Sequence, residues 1–137
     1  EFHVPNGRAN AILLPYTIRY NGTKPQKLST WPKYNYYKAD EKYAELAAAI
    51  GLKFNTVQEG VEAYAKACGE LGRKIGIEMN FKLQGINRED WMNSMDKLAY
   101  LAYEDQCSPA NPRVPLVEDM KKIMISAYDN EEFINKD

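Results

Sequence analysis

Apolar and polar positions along the 137 residues fall into five helical periods separated by turn formers. The first period is the densest. In the stretch Phe2 to Tyr20, His3, Val4, Pro5, Asn6 and Gly7 are poor helix-interior residues and predict an opening turn. Ala9, Ala11, Ile12, Leu13, Leu14, Tyr16, Ile18 and Tyr20 then place apolar groups on more than one face of a helix over 8–20. A helix apolar on most sides is expected to be buried on most sides. Pro15 inside it predicts a kink or one loosened turn. Asn21-Gly22 ends it.

Residues 21–35 predict a proline-punctuated loop that packs through Leu28, Trp31 and Tyr34. Tyr43, Leu46, Ala47 and Ile50 recur at helical spacing and predict a second helix, stopped by Gly51. Thr56-Val57-Gln58-Glu59 fits a capping box, with Val61, Tyr64, Ala65, Cys68, Leu71 and Ile75 on one side of the helix behind it. Gly60, Gly69 and Gly72 lie inside that helix. Each costs roughly 1 kcal/mol relative to Ala, which predicts close packing against another helix. Residues 77–86 alternate weakly and predict a short extended link.

Asn87, with Asp90 three residues on, predicts the cap of a fourth helix whose buried stripe is Trp91, Met95, Leu98, Ala99 and Ala102. The last helix turns Met120, Ile123, Met124 and Ala127 inward and Lys121 and Lys122 outward. The tail DNEEFINKD is polar and predicts frayed chain. Five helices with long loops and no strand make the fold class all-α.

Composition adds limits. At 45% hydrophobic and 27% charged, the chain suits one globular domain that buries roughly two thirds of its unfolded surface. A net charge of −1 implies no bulk attraction to nucleic acid or to an anionic membrane. The first 38 residues hold Arg8, Arg19, Lys24, Lys27, Lys33 and Lys38 against Glu1 alone. Such a run forms a solvated surface more often than a face for an anionic cofactor. Cys68 and Cys107 do not make a disulfide framework, and both are read as reduced thiols of a cytoplasmic protein. Asn21-Gly22-Thr23 has the letters of a glycosylation sequon but the chemistry of a turn. No membrane span or signal peptide is visible. The chain opens on Glu1 inside a motif, so it is expected to be a fragment of a longer polypeptide.

Candidates for chemistry are few. There is no Gly-x-Gly-x-x-Gly after a strand, no P-loop and no Cys/His cluster with zinc spacing. His3 is the only histidine, and in a turn it suits a structural or surface role. The loop DQCSPANPR, residues 105–113, reads as a helix stop followed by two X-Pro turns, with Asn111, Pro112 and Arg113 in structural roles.

Two of these stretches resemble one family. Pro5-Asn6-Gly7 followed by Arg8-Ala9-Asn10-Ala11 resembles the helix start of the iron-dependent (group III) alcohol dehydrogenases. The Asp-x-Cys and Asn-Pro-Arg of residues 105–113 resemble the segment before that family's final helix. KPQKLSTWPKYNYYKADEKYAELA and LAYEDQCSPANPR are closest to the C-terminal part of the bifunctional aldehyde–alcohol dehydrogenases. The resemblance extends over nearly the whole chain.

It implies an enzyme with an N-terminal nucleotide-binding domain and a C-terminal helical, metal-binding domain. Residues 1–137 would be the last part of the helical domain, with the nucleotide-binding domain absent from this chain. It also implies NAD as cofactor, and Fe(2+) or zinc held by an Asp and three His. The metal polarises the alcohol or aldehyde oxygen beside the nicotinamide. The family's last histidine ligand falls on Asn6, whose amide oxygen is a weaker donor than imidazole for such a metal. By the same carry-over Cys107 is either a thiol lining the substrate pocket or a plain buried cysteine. No catalytic and no cofactor-binding residue is assigned within the chain.

The resemblance implies a parent that interconverts a short-chain aldehyde, such as acetaldehyde, and its alcohol. This stretch alone is expected to be inactive and to hold neither NAD nor metal. Its expected partners are the upstream part of the same polypeptide and, as a homo-oligomer, further copies. Composition and periodicity alone support a second class equally well, a helical interaction or assembly module without chemistry.

Overall fold

The structure is a computed structural model that describes residues 2–25 and 37–133. Among them are five α-helices and no strand: α1 (Asn6–Asn21), α2 (Ala39–Ala49), α3 (Val57–Lys74), α4 (Arg88–Glu104) and α5 (Val117–Asp129). A single 3-10 turn, Ser108–Ala110, lies between α4 and α5. The all-α expectation holds. Helix α1 packs on α3 and α5, α2 packs on α3, and α4 packs on α5. The expected packing of Leu28, Trp31 and Tyr34 lies outside the described residues.

Several helix ends form for the reasons their residues give. The Thr56 hydroxyl accepts from the Glu59 N–H at 3.2 Å. The Glu59 carboxylate reaches one residue further back than a capping box requires and accepts from the Asn55 N–H at 2.8 Å. Asn87 Oδ1 accepts from the N–H groups of Glu89 and Asp90. Gly51, at φ +84°, lets the Leu52 N–H turn back to the Ala47 carbonyl.

Other expectations need correction. Helix α1 begins at Asn6, not residue 8, so Asn6 and Gly7 are in its first turn. It runs on through Pro15, whose side chain is fully buried. It is not buried on most sides: Ile12, Pro15, Tyr16 and Ile18 face the core, but Asn10 and Leu14 are exposed. In α2 the buried residues are Asp40, Ala44 and Ala47, while Leu46 and Ile50 are exposed. The close approach of α3 explains the shift. A Cβ on Gly60 would lie 2.8 Å from the Ala44 Cβ, so small residues mark this contact and the larger side chains point outward.

The stripe of α3 changes in the same way at its lower end. Leu71 and Ile75 are exposed, and Gly69 and Gly72 take the buried side. Their close neighbours are not helices. Gly69 lies under the Phe133 ring and Gly72 under the Met79 thioether. Residues 77–86 are therefore no extended link but a looped core segment that buries Met79, Asn80, Phe81 and Ile86. Asn80 makes this possible by satisfying both ends of its buried amide, accepting from the Leu83 N–H at 2.7 Å and donating to the Asn130 carbonyl at 3.1 Å.

Ala102 is exposed, so the buried stripe of α4 ends at Ala99. Lys122 is exposed as expected, but Lys121 is partly covered and pairs with Asp96 and Glu118. Nor is the tail frayed through residue 133, because Phe133 is only 3% exposed.

The main core joins Ile12 and Tyr16 of α1, the 77–86 loop, Trp91 and Met95 of α4, Ala127 and Tyr128 of α5, and Phe133. A smaller cluster holds Ile18, Val61 and Ala65, where α1 crosses α3.

Candidate functional site

The core fixes one face of α1 and leaves another open. Counting in helical steps from Asn6 along the open face gives Asn10, Leu13, Thr17 and Tyr20. The last four line a groove of about 570 Å³. Ala102 at the end of α4 and Met120, Ile123 and Met124 of α5 supply its apolar wall. Asp105, Cys107, Ser108 and Asn111 supply its polar end. Asn6 is exposed one turn before Asn10. Asn6 and the groove beside Cys107 therefore lie along one face of α1.

The loop carrying Cys107 is shaped by the Asp105 side chain and its own backbone. Asp105 Oδ1 accepts from the Cys107 N–H at 2.8 Å, and the Asp105 carbonyl accepts from the Ser108 N–H at 2.9 Å. These bonds leave Cys107 exposed on the rim rather than buried. Cys68 differs. It is half-buried on α3, and burial pushes its thiol above the ordinary cysteine value, only partly offset by a hydrogen bond with Tyr64. A thiol held protonated in this way is a poor nucleophile.

Residues 111–113 lock the loop to the end of α1. The Asn111 amide donates to Asn21 Oδ1 at 2.6 Å and to the Arg113 carbonyl at 2.5 Å. Arg113 donates to the Tyr20 carbonyl at 3.1 Å and stacks its guanidinium 4.1 Å from the Tyr20 ring centre. Asn21, 4% exposed, also accepts at its carbonyl from the Tyr37 hydroxyl and donates from its amide to Tyr43 at 3.5 Å. The structural roles expected for Asn111 and Arg113 are the roles observed. Sequence reasoning does not single out Tyr20 and Asn21 as site residues, although the helical spacing from Asn6 reaches Tyr20.

This lock is alkali-sensitive. Burial pushes the Tyr20 phenol up to about 12, the Asp119 carboxylate adds to the shift, and Arg113 opposes it. Burial and the Asp40 carboxylate push Tyr37 up to about 12 as well. Both phenols are thus neutral in the folded state at pH values where the unfolded chain ionises them. Their contribution to stability is complete below pH about 10, the unfolded value, and is lost as pH rises toward about 12. Urea midpoints measured across that interval should fall, and Tyr20→Phe should flatten the fall. A midpoint that stays level would contradict this.

His3 is exposed and sits at φ +55°, in the left-handed region. Among the described residues no group of three His, Cys, Asp or Glu could hold a metal ion. Asn6 with His3 offers two donors at most, so the described residues do not by themselves fit a transition metal. No helix among the described residues is long and apolar enough to cross a membrane.

Residues 1–128 match the model of the Fe-containing alcohol dehydrogenase family, C-terminal. The aldehyde-alcohol dehydrogenase of Streptococcus pneumoniae serotype 4 is 62% identical over 128 residues, which is 93% of this chain and 14% of the relative. Aldehyde-alcohol dehydrogenase 2 of Entamoeba histolytica is 58% identical over 127 residues, 93% of this chain and 15% of the relative. The NADPH-dependent butanol dehydrogenase of Clostridium saccharobutylicum is 35% identical over 127 residues, 93% of this chain and 29% of the relative. The chain thus spans about one seventh of the length of the aldehyde-alcohol dehydrogenases it matches. A family match running from the opening turn of α1 almost to the end of α5 places this chain in the Fe-containing alcohol dehydrogenase family, in its C-terminal region.

Proposed function

We propose that residues 1–137 form the last part of the helical catalytic domain of a nicotinamide-linked, iron-dependent alcohol dehydrogenase of the cytoplasm. The whole protein interconverts a short aldehyde and its alcohol. The nucleotide-binding domain and the other metal ligands belong to parts of the polypeptide outside this chain, and the stretch alone is inactive. The family match supports this reading over a helical module without chemistry. Within the structure, one observation carries it: the α1 face that begins at Asn6 leads directly into the groove beside Cys107.

The chain's own share of the work is to position the substrate. The groove offers an apolar wall for an alkyl tail and amide, hydroxyl and thiol groups for an oxygen. NAD is the proposed cofactor, with Fe(2+), or zinc in its place, held mainly by residues outside this chain. Because Asn6 gives an uncharged oxygen where the family has imidazole, the whole protein is expected to hold metal weakly. Asn6→His in the full-length protein should raise both bound iron, read by metal analysis, and acetaldehyde-dependent oxidation of NADH. His3→Ala should change neither. No turnover of any short aldehyde with NADH or NADPH, in protein reconstituted with iron, would sink the proposal. Metal lost on His3→Ala would instead move the ligand to His3.

A further inference from the structure

The sequence holds two Asn-Gly pairs, Asn6-Gly7 and Asn21-Gly22, and the structure treats them oppositely. We propose that Asn6 is a site of spontaneous deamidation, converting to aspartate and isoaspartate, while Asn21 is protected by its surroundings. The reaction needs the backbone nitrogen of the following residue to attack the Asn side-chain carbonyl carbon. A glycine there leaves the approach clear, because it has no Cβ.

At the first pair every requirement is within reach. Asn6 and Gly7 are exposed, and nothing lies within 4 Å of the place a Gly7 Cβ would occupy. Gly7 is in the opening turn of α1, ahead of the first helical bond, which runs from the Ala9 N–H to the Pro5 carbonyl. Attack therefore takes no hydrogen bond from the Gly7 N–H, and opening a terminal turn costs little. Pro5 caps the helix without a side-chain hydrogen bond, so no cap bond has to break.

The second pair lacks these features. The Gly22 N–H donates to the Ile18 carbonyl at 2.8 Å. The Asn21 side chain is buried and tied to Asn111 and Tyr43. A Cβ on Gly22 would fall 2.4 Å from Val61, so the peptide cannot swing freely.

The chemistry balances with water as co-reactant. The Gly7 nitrogen forms a bond to Asn6 Cγ, its proton passes to the departing amide, and the Cγ–Nδ2 bond breaks to release ammonia. Water then opens the resulting five-membered imide at either carbonyl. One route gives an aspartate with a normal backbone and the other the isoaspartyl isomer. Position 6 thereby gains a negative charge at a helix N-terminus, where it is favoured. On the proposed function, which this step does not depend on, a neutral amide at the family's metal position becomes an anionic oxygen donor.

The test uses the 137-residue chain, aged at mildly alkaline pH and 37 °C. Trypsin cuts after Arg8 and Arg19, so the two pairs appear in different peptides for mass spectrometry. The peptide ending at Arg8 should gain one mass unit about tenfold faster or more than the peptide starting at Tyr20, and should split chromatographically into two isomers. In denaturant the two rates should converge. Gly7→Ala, which has room for its methyl group, should slow the first peptide without unfolding the chain. Equal rates in the native chain, or a Gly7→Ala rate equal to that of the parent sequence, would overturn the proposal. Failure of the dehydrogenase assay would leave this result standing.

Discussion

Trp91→Ala should cost about 3–5 kcal/mol of folding stability, the range for removing a large aromatic from a core. The indole is 4% exposed. It stacks on Phe81 with ring centres 4.6 Å apart and lies 6.1 Å from the Tyr128 ring and 5.5 Å from Phe2. Its Nε1–H donates to the Met124 carbonyl at 3.2 Å. The substitution therefore removes packing on three sides and leaves that carbonyl without its donor. Trp91→Phe keeps most of the area but not the donor, so it should cost clearly less. Urea titrations of the three proteins decide the matter. Similar midpoints for Ala and Phe would mean that packing contributes little and that the core is placed wrongly.

Phe133→Ala should have a comparable effect, about 3–5 kcal/mol, although it stands near the chain end in a polar stretch. Its ring fills a notch that exists because residue 69 is glycine. A Cβ there would meet the ring atoms at 2.3, 2.4 and 2.6 Å. Gly69→Ala alone should then destabilise by about 1–3 kcal/mol through overpacking, even though alanine favours the helix. Combined with Phe133→Ala, the same change should add no further loss and should regain up to about 1 kcal/mol, because the methyl group enters vacated space. A coupling of about 1–4 kcal/mol between the two sites is the expected signature, readable from a double-mutant cycle in urea. Strict additivity would show that Phe133 does not occupy the notch.

The helices were legible because their signals are local. Caps at Thr56 and Asn87, the stop at Gly51 and the apolar periods of α3 as far as Cys68 and of α4 as far as Ala99 all act within a few residues. The phase of α2 was half legible: Ala47 is buried as its period predicts, but Ala44 takes the inner face in place of Leu46 because Gly60 of the next helix comes so close. The role of 77–86 was hidden for a similar reason. Its buried Asn80 is satisfied by the carbonyl of Asn130, far along the chain. In the site, Asn6 and Cys107 could be singled out from motif letters alone. Tyr20 and Asn21 could not, since their importance comes from Arg113 and Asn111, which only the fold brings near.

The bonds of α1 also set an order of events during synthesis. Arg19 holds Glu62 at 2.8 Å, 43 residues on, and Glu132 at 3.0 Å, 113 residues on. Asn21 meets Asn111 across 90 residues, and Tyr20 meets Asp119 across 99. A helix usually counts as quick, local structure, but these contacts are long-range loop closures. As the chain leaves the ribosome, α1 can form early yet must wait for residues more than a hundred positions on before its core-facing side is covered. During that interval its apolar side is open to chaperones, and pauses in translation after α3 would lengthen the exposure.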